Sequence, residues 1–510
     1  MKRILNKLFS KLVLGGLIII LQFSWFVYLL YSATVYSSMV DALFKIASIV
    51  LALFVSSRDM RSTYKTSWIF LILALPLFGI PAYYLFGRPG LTKRTRMKMD
   101  VVSSRIRAYS SPSDDVMSAL RAEDDSVGQQ AQYLTRYAGY PVYREADTQY
   151  YCCGEEMYPQ FLEDLKTAKS YIFLEYFIVE EGYMWGSVLE ILKEKAAAGV
   201  EVRFMYDGMC SISLLPPDYP KKIRRFGIQC KMFSPIRPVL STTQNNRDHR
   251  KICVIDGKTG FTGGINLGDE YINRKERFGY WKDTAVMIKG DAVQSLTMLF
   301  LQMWNVSELK KEKFEPYLTT MAKELKPETG FVLPYGDSPY DHENVGEEVY
   351  VHILNHAKKY VHIMTPYLIL DNGMLDTLTR AAKSGIEVCI IMPHIPDKWY
   401  AFAVAKTYYR ELIEAGVNIY EFTPGFVHAK VFVSDDDTAT VGTVNLDYRS
   451  LYLHFECGIF VYDNPVVHKI EKDFQETLKK SCKVTASDIG NTGIFMRICG
   501  RVLRLIAPLM

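Results

Sequence analysis

The chain has 510 residues, of which 49% are hydrophobic, 13% aromatic and 23% charged, and 60 basic against 56 acidic side chains leave a net charge of +4. That length allows two or three domains, and the balance excludes a disordered, collagen-like or disulfide-dense chain. The small positive excess argues against a general nucleic-acid binder, while a mean hydropathy of 0.00 is high for a soluble enzyme.

The apolar excess lies at the N-terminus. Lys2, Arg3, Lys7 and Lys11 precede an uncharged stretch from Leu12 to Val40, of which Leu12–Ser32 meets the requirement of about 20 apolar residues for a bilayer span. A signal peptide cleaved at Tyr31-Ser32-Ala33 competes with that reading, but a signal core holds only about 7–15 apolar residues. Ile46–Ser57 is uncharged but short, and Thr66–Gly87 is interrupted by Pro76, Gly79 and Pro81. Basic clusters at 2–11, at Arg58/Arg61/Lys65 and at Arg88–Arg107 all favour the cytoplasm. Two spans plus a proline-broken interfacial segment satisfy all three. The expectation is a multi-pass region over residues 1–90 in the cell membrane, with a cytoplasmic body. Residues 91–138 read as a basic juxtamembrane linker followed by polar helix. Nine cysteines without a CxxC suit reduced thiols and suggest no metal site.

The remainder repeats itself. Ala168–Phe177 and Ala357–Pro366 are β-rich runs after helical stretches. Each precedes an amphipathic helix that ends at a glycine, Gly199 or Gly385, and then a buried strand, Val200–Tyr206 or Ile386–Met392. Strand, helix, glycine, strand is a βαβ unit, so two α/β halves of mixed sheets flanked by helices are expected at 139–320 and 321–490.

Both halves continue into His-x-Lys-x4-Asp-x6-Gly-[Gly/Thr]-x-Asn: His249, Lys251, Asp256 and Asn266, then His428, Lys430, Asp435 and Asn445. One His-x-Lys is ordinarily a solvated strand face; two copies with identical spacing are not chance. His and Lys at i and i+2 project from the same strand face. Asp256 and Asp435 fall at the strand end; they are placed with the catalytic set as members of the motif, and a supporting role within their own half is weighed above a direct part in the chemistry. Asp283 and Glu456 follow the two asparagines by 17 and 11 residues and are candidates to orient the imidazoles. Two imidazoles, two ammoniums and two amides around one point suit a phosphodiester. The lysines and amides stabilise charge on phosphate oxygens, one imidazole attacks phosphorus, and the other moves the proton. No cofactor or metal is needed.

These paired motifs resemble the signature of the phospholipase D superfamily. Glu175-Tyr-Phe177, Arg247–Ile252, Phe261–Tyr271, Trp281-Lys-Asp283, Thr365-Pro-Tyr367, Gly425–His428, Gly442–Ser450 and Phe455-Glu456, with the N-terminal region ending Tyr84–Gly87, resemble its bacterial cardiolipin synthase branch over nearly the whole chain. The resemblance implies two pseudo-symmetric halves sharing one active site. It implies phosphatidyl transfer between two phosphatidylglycerol molecules through a phosphohistidine, giving cardiolipin and glycerol. It favours His249 as nucleophile and His428 as general acid/base. Cys210 stands where glycine, and His454 where asparagine, is usual in the branch. Phospholipid hydrolysis, phosphatidylserine synthase-type exchange, a nuclease and a non-catalytic lipid-binding scaffold stay as alternatives. The expected partners are phosphatidylglycerol and an anionic membrane surface, with no nucleic acid. The last segment, 491–510, carries Arg497, Arg501 and Arg504 at helical intervals among apolar residues, so it reads as an amphipathic helix for such a surface or for docking on the body.

Overall fold

The computed structural model describes residues 38–509 apart from 59, 88–92, 110–112, 145, 236–244, 307, 309–311, 319–329, 342 and 491–492, together with seven positions between 23 and 32. Most of Leu12–Ser32 therefore lies outside the described residues. Among those described, no helix is long and apolar enough to cross a membrane.

Ile46–Ser57 falls largely within the helix Ser38–Ser56. Thr66–Gly87 breaks at the first of its prolines, Pro76, while Pro81 lies inside the helix that follows. The helix Ser62–Ala74 stops at Leu75, and Pro76 opens a new helix, Pro76–Ala82, as a residue whose missing N–H costs nothing in a first turn. A Cβ on Gly79 would lie 2.4 Å from the Leu71 carbonyl oxygen, so only glycine permits the chain to fold back so tightly. Leu51, Val55, Trp68, Ile72, Ala82 and Tyr83 form a small core of their own. Residues 91–138, expected as a linker and then polar helix, contain the helices Lys93–Arg107, Asp114–Glu123 and Asp125–Tyr133. Met99, Val102, Ile106, Leu120 and Leu134 are buried in the main core, so this stretch is part of the folded body.

The repeat folds as two mixed sheets of matching topology. The first has the order Asp147–Tyr151, Ala285–Lys289, Thr259–Gly263, Lys251–Ile255, Tyr171–Tyr176, Glu201–Asp207, Gln229–Phe233. The second has Phe331–Asp337, Glu456–Tyr462, Thr438–Gly442, Val431–Ser434, Tyr360–Met364, Glu387–Pro393, Asn418–Phe422 in the corresponding places, with short strands Tyr143–Arg144 and Ser481–Lys483 at its edges. The βαβ strands are parallel, and the motif strand is antiparallel to the first of them: Lys251–Ile255 beside Tyr171–Tyr176, Val431–Ser434 beside Tyr360–Met364. Gly199 and Gly385, with φ of +91° and +92°, terminate the crossover helices as left-handed caps.

Both faces of the first sheet are covered. Ile172 and Leu174 enter one core while Tyr171 and Phe173 enter the other, following the period of two along a strand. The helix Val293–Val306 packs Phe300 against Phe173 at 4.5 Å between ring centroids, and it also contacts Phe331–Asp337 of the second half. One continuous core therefore joins the halves.

Candidate active site

The two motif strands are each preceded by a residue pair that reaches across to the other half. The His249 amide donates to the Phe455 carbonyl at 2.9 Å, and the Phe455 amide donates to Arg247 at 2.8 Å. In the second half, Gly425–Val427 pairs in parallel with Tyr280–Lys282, and the His428 amide donates to the Lys282 carbonyl at 2.7 Å. Glu456 follows Phe455, and Asp283 follows Lys282. This crossed backbone pairing delivers to each histidine a carboxylate from the opposite half. His249 Nδ1 lies 2.9 Å from both oxygens of Glu456, and His428 Nδ1 lies 2.6 Å from Asp283 Oδ2. Both carboxylates are fully buried. An Nδ1–H donated to a carboxylate leaves the Nε2 lone pair available on each ring.

Lys251 donates to the His249 carbonyl at 2.5 Å, and Lys430 donates to the His428 carbonyl. Burial pushes Lys251 down to about 8 and Lys430 to about 7, with Asp283 and Glu456 opposing the shift. Burial, then Lys251 and Lys430, hold His249 well below the usual imidazole range. Burial and Lys430 take His428 to about 4 against the pull of Asp283. Without substrate, the site holds two neutral imidazoles and two weakened ammonium groups, the latter beside the buried carboxylates of Asp283 and Glu456.

The asparagines occupy equivalent places. Asn266 Nδ2 donates to Tyr271 Oη at 2.8 Å, and its Oδ1 accepts from the Ile178 amide at 2.9 Å. Asn445 Nδ2 donates to Ser450 Oγ at 3.0 Å, while its buried Oδ1 has no partner among the described residues. Asp256 and Asp435 do not join this cluster, so their place in the motif is structural. Asp256 accepts from the amides of Lys169, Ser170 and Tyr171, each at 2.8 Å, at the far end of the motif strand. Asp435 accepts from Lys358, Lys359 and Tyr360 at 2.6–3.0 Å. Both aspartates have positive φ, +53° and +54°, a conformation that Asp tolerates better than most residues.

Other wall residues carry a weaker sequence signal. Thr443 fills the motif's [Gly/Thr] position and donates to Glu456 Oε2. Its counterpart Gly264 has no room for a side chain, because a Cβ there would meet Asp283 Oδ1 at 2.0 Å. Phe177 lies 4.8 Å from the His249 ring, and Trp281 5.3 Å from His428. Cys210, the unusual residue, donates to the Phe177 carbonyl at 3.1 Å and accepts from the Val179 amide, fixing the segment beside His249. Behind His249, burial and then Asp248 hold Glu175 far above the carboxylate range, and burial takes Asp248 to about 6 against the pull of the buried Arg250. His454 is half-buried, and both its ring nitrogens are buried without a hydrogen-bond partner among the described residues; its Nδ1 is 3.7 Å from Glu456 Oε1. His249, His454 and Glu456 offer ligand atoms within 4.8 Å of one another, but Glu456 is already committed to His249 and Thr443.

Comparison with known proteins matches residues 161–304 and 350–478 to "Cardiolipin synthase, PLD-like domain" and residues 46–88 to "Phospholipase_D-nuclease N-terminal". A Streptococcus mutans protein named only as uncharacterized is 48% identical, over 90% of this chain and 99% of its own. A cardiolipin synthase of Geobacillus kaustophilus is 34% identical, over 91% of this chain and 92% of its own. The crystal structure of a phosphatidylserine synthase of Haemophilus influenzae shares the fold, with a TM-score of 0.57 at 14% identity over 75% of this chain and all of that one.

Proposed function

The chain belongs to the cardiolipin synthase family of phospholipase D-like proteins, and from that premise we propose that it is a phosphatidyltransferase joining two phosphatidylglycerol molecules into cardiolipin with release of glycerol. The observation that carries this reading is the extent of the likeness. It runs through the N-terminal region and both halves over nine-tenths of the cardiolipin synthases it matches, well beyond the paired phosphodiester motif alone.

The chemistry follows from the neutral rings. His249 Nε2 attacks the phosphorus of the first phosphatidylglycerol; the bond to the glycerol oxygen breaks, and His428 supplies the proton that releases free glycerol. Lys251 and Lys430 stabilise the charge that grows on the non-bridging oxygens, with no protein reorganisation at that moment. Burial, then Lys430 and Lys251, depress His428; the negative phosphodiester offsets the lysines and so favours the charged ring that acts as acid. The glycerol hydroxyl of a second phosphatidylglycerol then gives its proton to His428 and attacks the phosphohistidine. The phosphorus–nitrogen bond breaks, and His249 is restored. The crossed carboxylates hold both tautomers through the cycle, as in triad logic.

Membrane attachment belongs to the same reading. Met39, Leu43, Ile46, Val50 and Leu53 are exposed along the helix Ser38–Ser56, and Ile494, Phe495, Ile498, Val502 and Leu505 along Ile494–Ile506. Two apolar faces of this size suit a bilayer surface better than water. Holding the enzyme in the lipid plane raises the effective concentration of both substrates. Incubation of the full chain with phosphatidylglycerol vesicles, followed by mass spectrometry, tests the reaction. Cardiolipin and glycerol are expected; phosphatidic acid alone would make the protein a hydrolase.

A further inference from the structure

A cardiolipin synthase must bind two anionic lipids where a hydrolase binds one. The donor's phosphorus is served by the histidines and Lys251 and Lys430. The acceptor brings its own phosphodiester, one glycerol length from the hydroxyl that attacks. That second negative charge sits close to the first, and without a cation beside it the two repel. Water as acceptor carries no such charge.

Next to the catalytic cluster lies a cavity of about 360 Å³ whose polar lining includes Tyr367, Lys398, Tyr400, Asp447 and Arg449, with an apolar wall at Ile369 and Ala401. It touches the site through the chain itself. Asn445 opens the turn that carries Asp447 and Arg449, Ser450 beyond them accepts from the Asn445 amide, and the Arg449 carbonyl accepts from the His454 amide at 2.9 Å. Asp447 caps the helix Tyr448–Tyr452 by accepting from the Ser450 amide at 2.9 Å. Arg449 Nε, by contrast, is buried with no hydrogen-bond partner among the described residues. A guanidinium donor buried and left unpaired is costly unless an acceptor arrives. Burial holds the Arg449 guanidinium below its ordinary value, which is the direction that a bound anion would reverse. Lys398 stands on the rim, donating to Tyr367 Oη at 3.1 Å, and it is close enough to lower the proton affinity of His249. Ala507 and Tyr448 complete the lining on the side of the C-terminal segment, whose helix is tied to Ser62–Ala74 by Ser67 Oγ donating to the Leu505 carbonyl at 2.8 Å. The cavity thus sits on the same side as the apolar N- and C-terminal helices.

We propose that Arg449, with Lys398 at the rim, binds the phosphodiester of the acceptor phosphatidylglycerol and so selects an anionic lipid over water as the second substrate. The inference rests on the cardiolipin synthase reading and adds to it a second anion site. A forked guanidinium matches two phosphate oxygens, a geometry that lysine copies only as a point charge.

The test measures product partition from phosphatidylglycerol vesicles, cardiolipin against phosphatidic acid, for the full chain and for Arg449→Gln, Arg449→Lys and Lys398→Gln. In Arg449→Gln the ratio is expected to shift roughly tenfold or more toward phosphatidic acid. Arg449→Lys should recover part of it, and Lys398→Gln, on the exposed rim, should shift it in the same direction by less. With isotope-labelled glycerol added as a neutral acceptor, its exchange into phosphatidylglycerol should fall much less than transfer to the lipid. If Arg449→Gln lowers cardiolipin, phosphatidic acid and transfer to glycerol in proportion, and Lys398→Gln leaves the ratio at the wild-type value, the acceptor site is overturned while the function stands. If the wild-type chain makes no cardiolipin, the functional reading itself is what fails.

Discussion

Asp283 of the first half meets His428 of the second at 2.6 Å, and Glu456 returns the arrangement to His249 at 2.9 Å. Neither half therefore contains a complete catalytic unit; each supplies an imidazole and the carboxylate for the other's imidazole. Asp283→Asn and Glu456→Gln preserve shape but remove the negative charge, and their NH2 group can face Nδ1 and favour the wrong tautomer. Each is expected to lower the turnover of phosphatidylglycerol by roughly 10²–10⁴-fold with little change in thermal unfolding. Initial rates and melting curves of the purified variants check this. Wild-type turnover in either variant would remove the carboxylates from the mechanism.

The two lysines set a pH dependence with a definite sign. Burial holds Lys430 at about 7 and Lys251 at about 8, and an amine is charged below its pKa. Both lysines are largely charged at about pH 6, and the site loses positive charge as the pH rises through 7 and 8. Inhibition by sulfate, which does not titrate in this range, should weaken by roughly tenfold between about pH 6 and about pH 9. Lys430→Met should remove the lower step of that profile. A flat inhibition constant would show that both ammonium groups stay charged throughout.

The motif aspartates carry stability. Asp256 satisfies three backbone amides at a positive φ. Asp256→Ala leaves those donors to water and places alanine in a disfavoured conformation, so a loss of about 1–3 kcal/mol is expected. Asp256→Asn, which keeps one acceptor oxygen and tolerates the φ, should recover part of it. Chemical denaturation at equilibrium measures both. A variant that melts normally yet loses turnover would return Asp256 to the chemistry.

Much of this architecture is legible in the sequence because the chain states it twice. The matched His, Lys, Asp and Asn spacings locate two motif strands, and Gly199 and Gly385 mark the ends of the two crossover helices. The crossing is not legible: nothing in the spacing of Asp283 or Glu456 says that each serves the other half, because parallel pairing of Tyr280–Lys282 with Gly425–Val427 is a tertiary event. The packing of the stretch 91–138 is hidden for a similar reason. Its charge suggests a linker, but Met99, Val102 and Ile106 recur at helical spacing and find a core only once both halves are assembled. Arg449 stands two residues after the helix cap Asp447, and only the cavity around it separates it from an ordinary surface arginine.

The C-terminal helix faces two ways, and the two faces predict different losses. Its inner side docks on Trp399–Glu414. A Cβ on Gly500 would lie 2.4 Å from the Ala403 carbonyl oxygen, and Arg504 donates to the Thr407 carbonyl at 3.3 Å while stacking 3.9 Å from the Tyr408 ring. Gly500→Leu cannot be accommodated without parting these helices, so it should lower the melting temperature by several degrees, an effect of about 1–3 kcal/mol. The outer side exposes Ile498 and Val502 and carries Arg501. A double change, Ile498→Asp with Val502→Asp, touches no docking contact and should leave melting unchanged. It should weaken cosedimentation with phosphatidylglycerol vesicles, because two apolar groups and the attraction of an anionic surface are lost together. Turnover of short-chain phosphatidylglycerol in detergent micelles should survive that change far better than turnover in vesicles. Equal losses in both would mean that the outer face supports the catalytic body directly, and unchanged cosedimentation would assign membrane attachment to the N-terminal region alone.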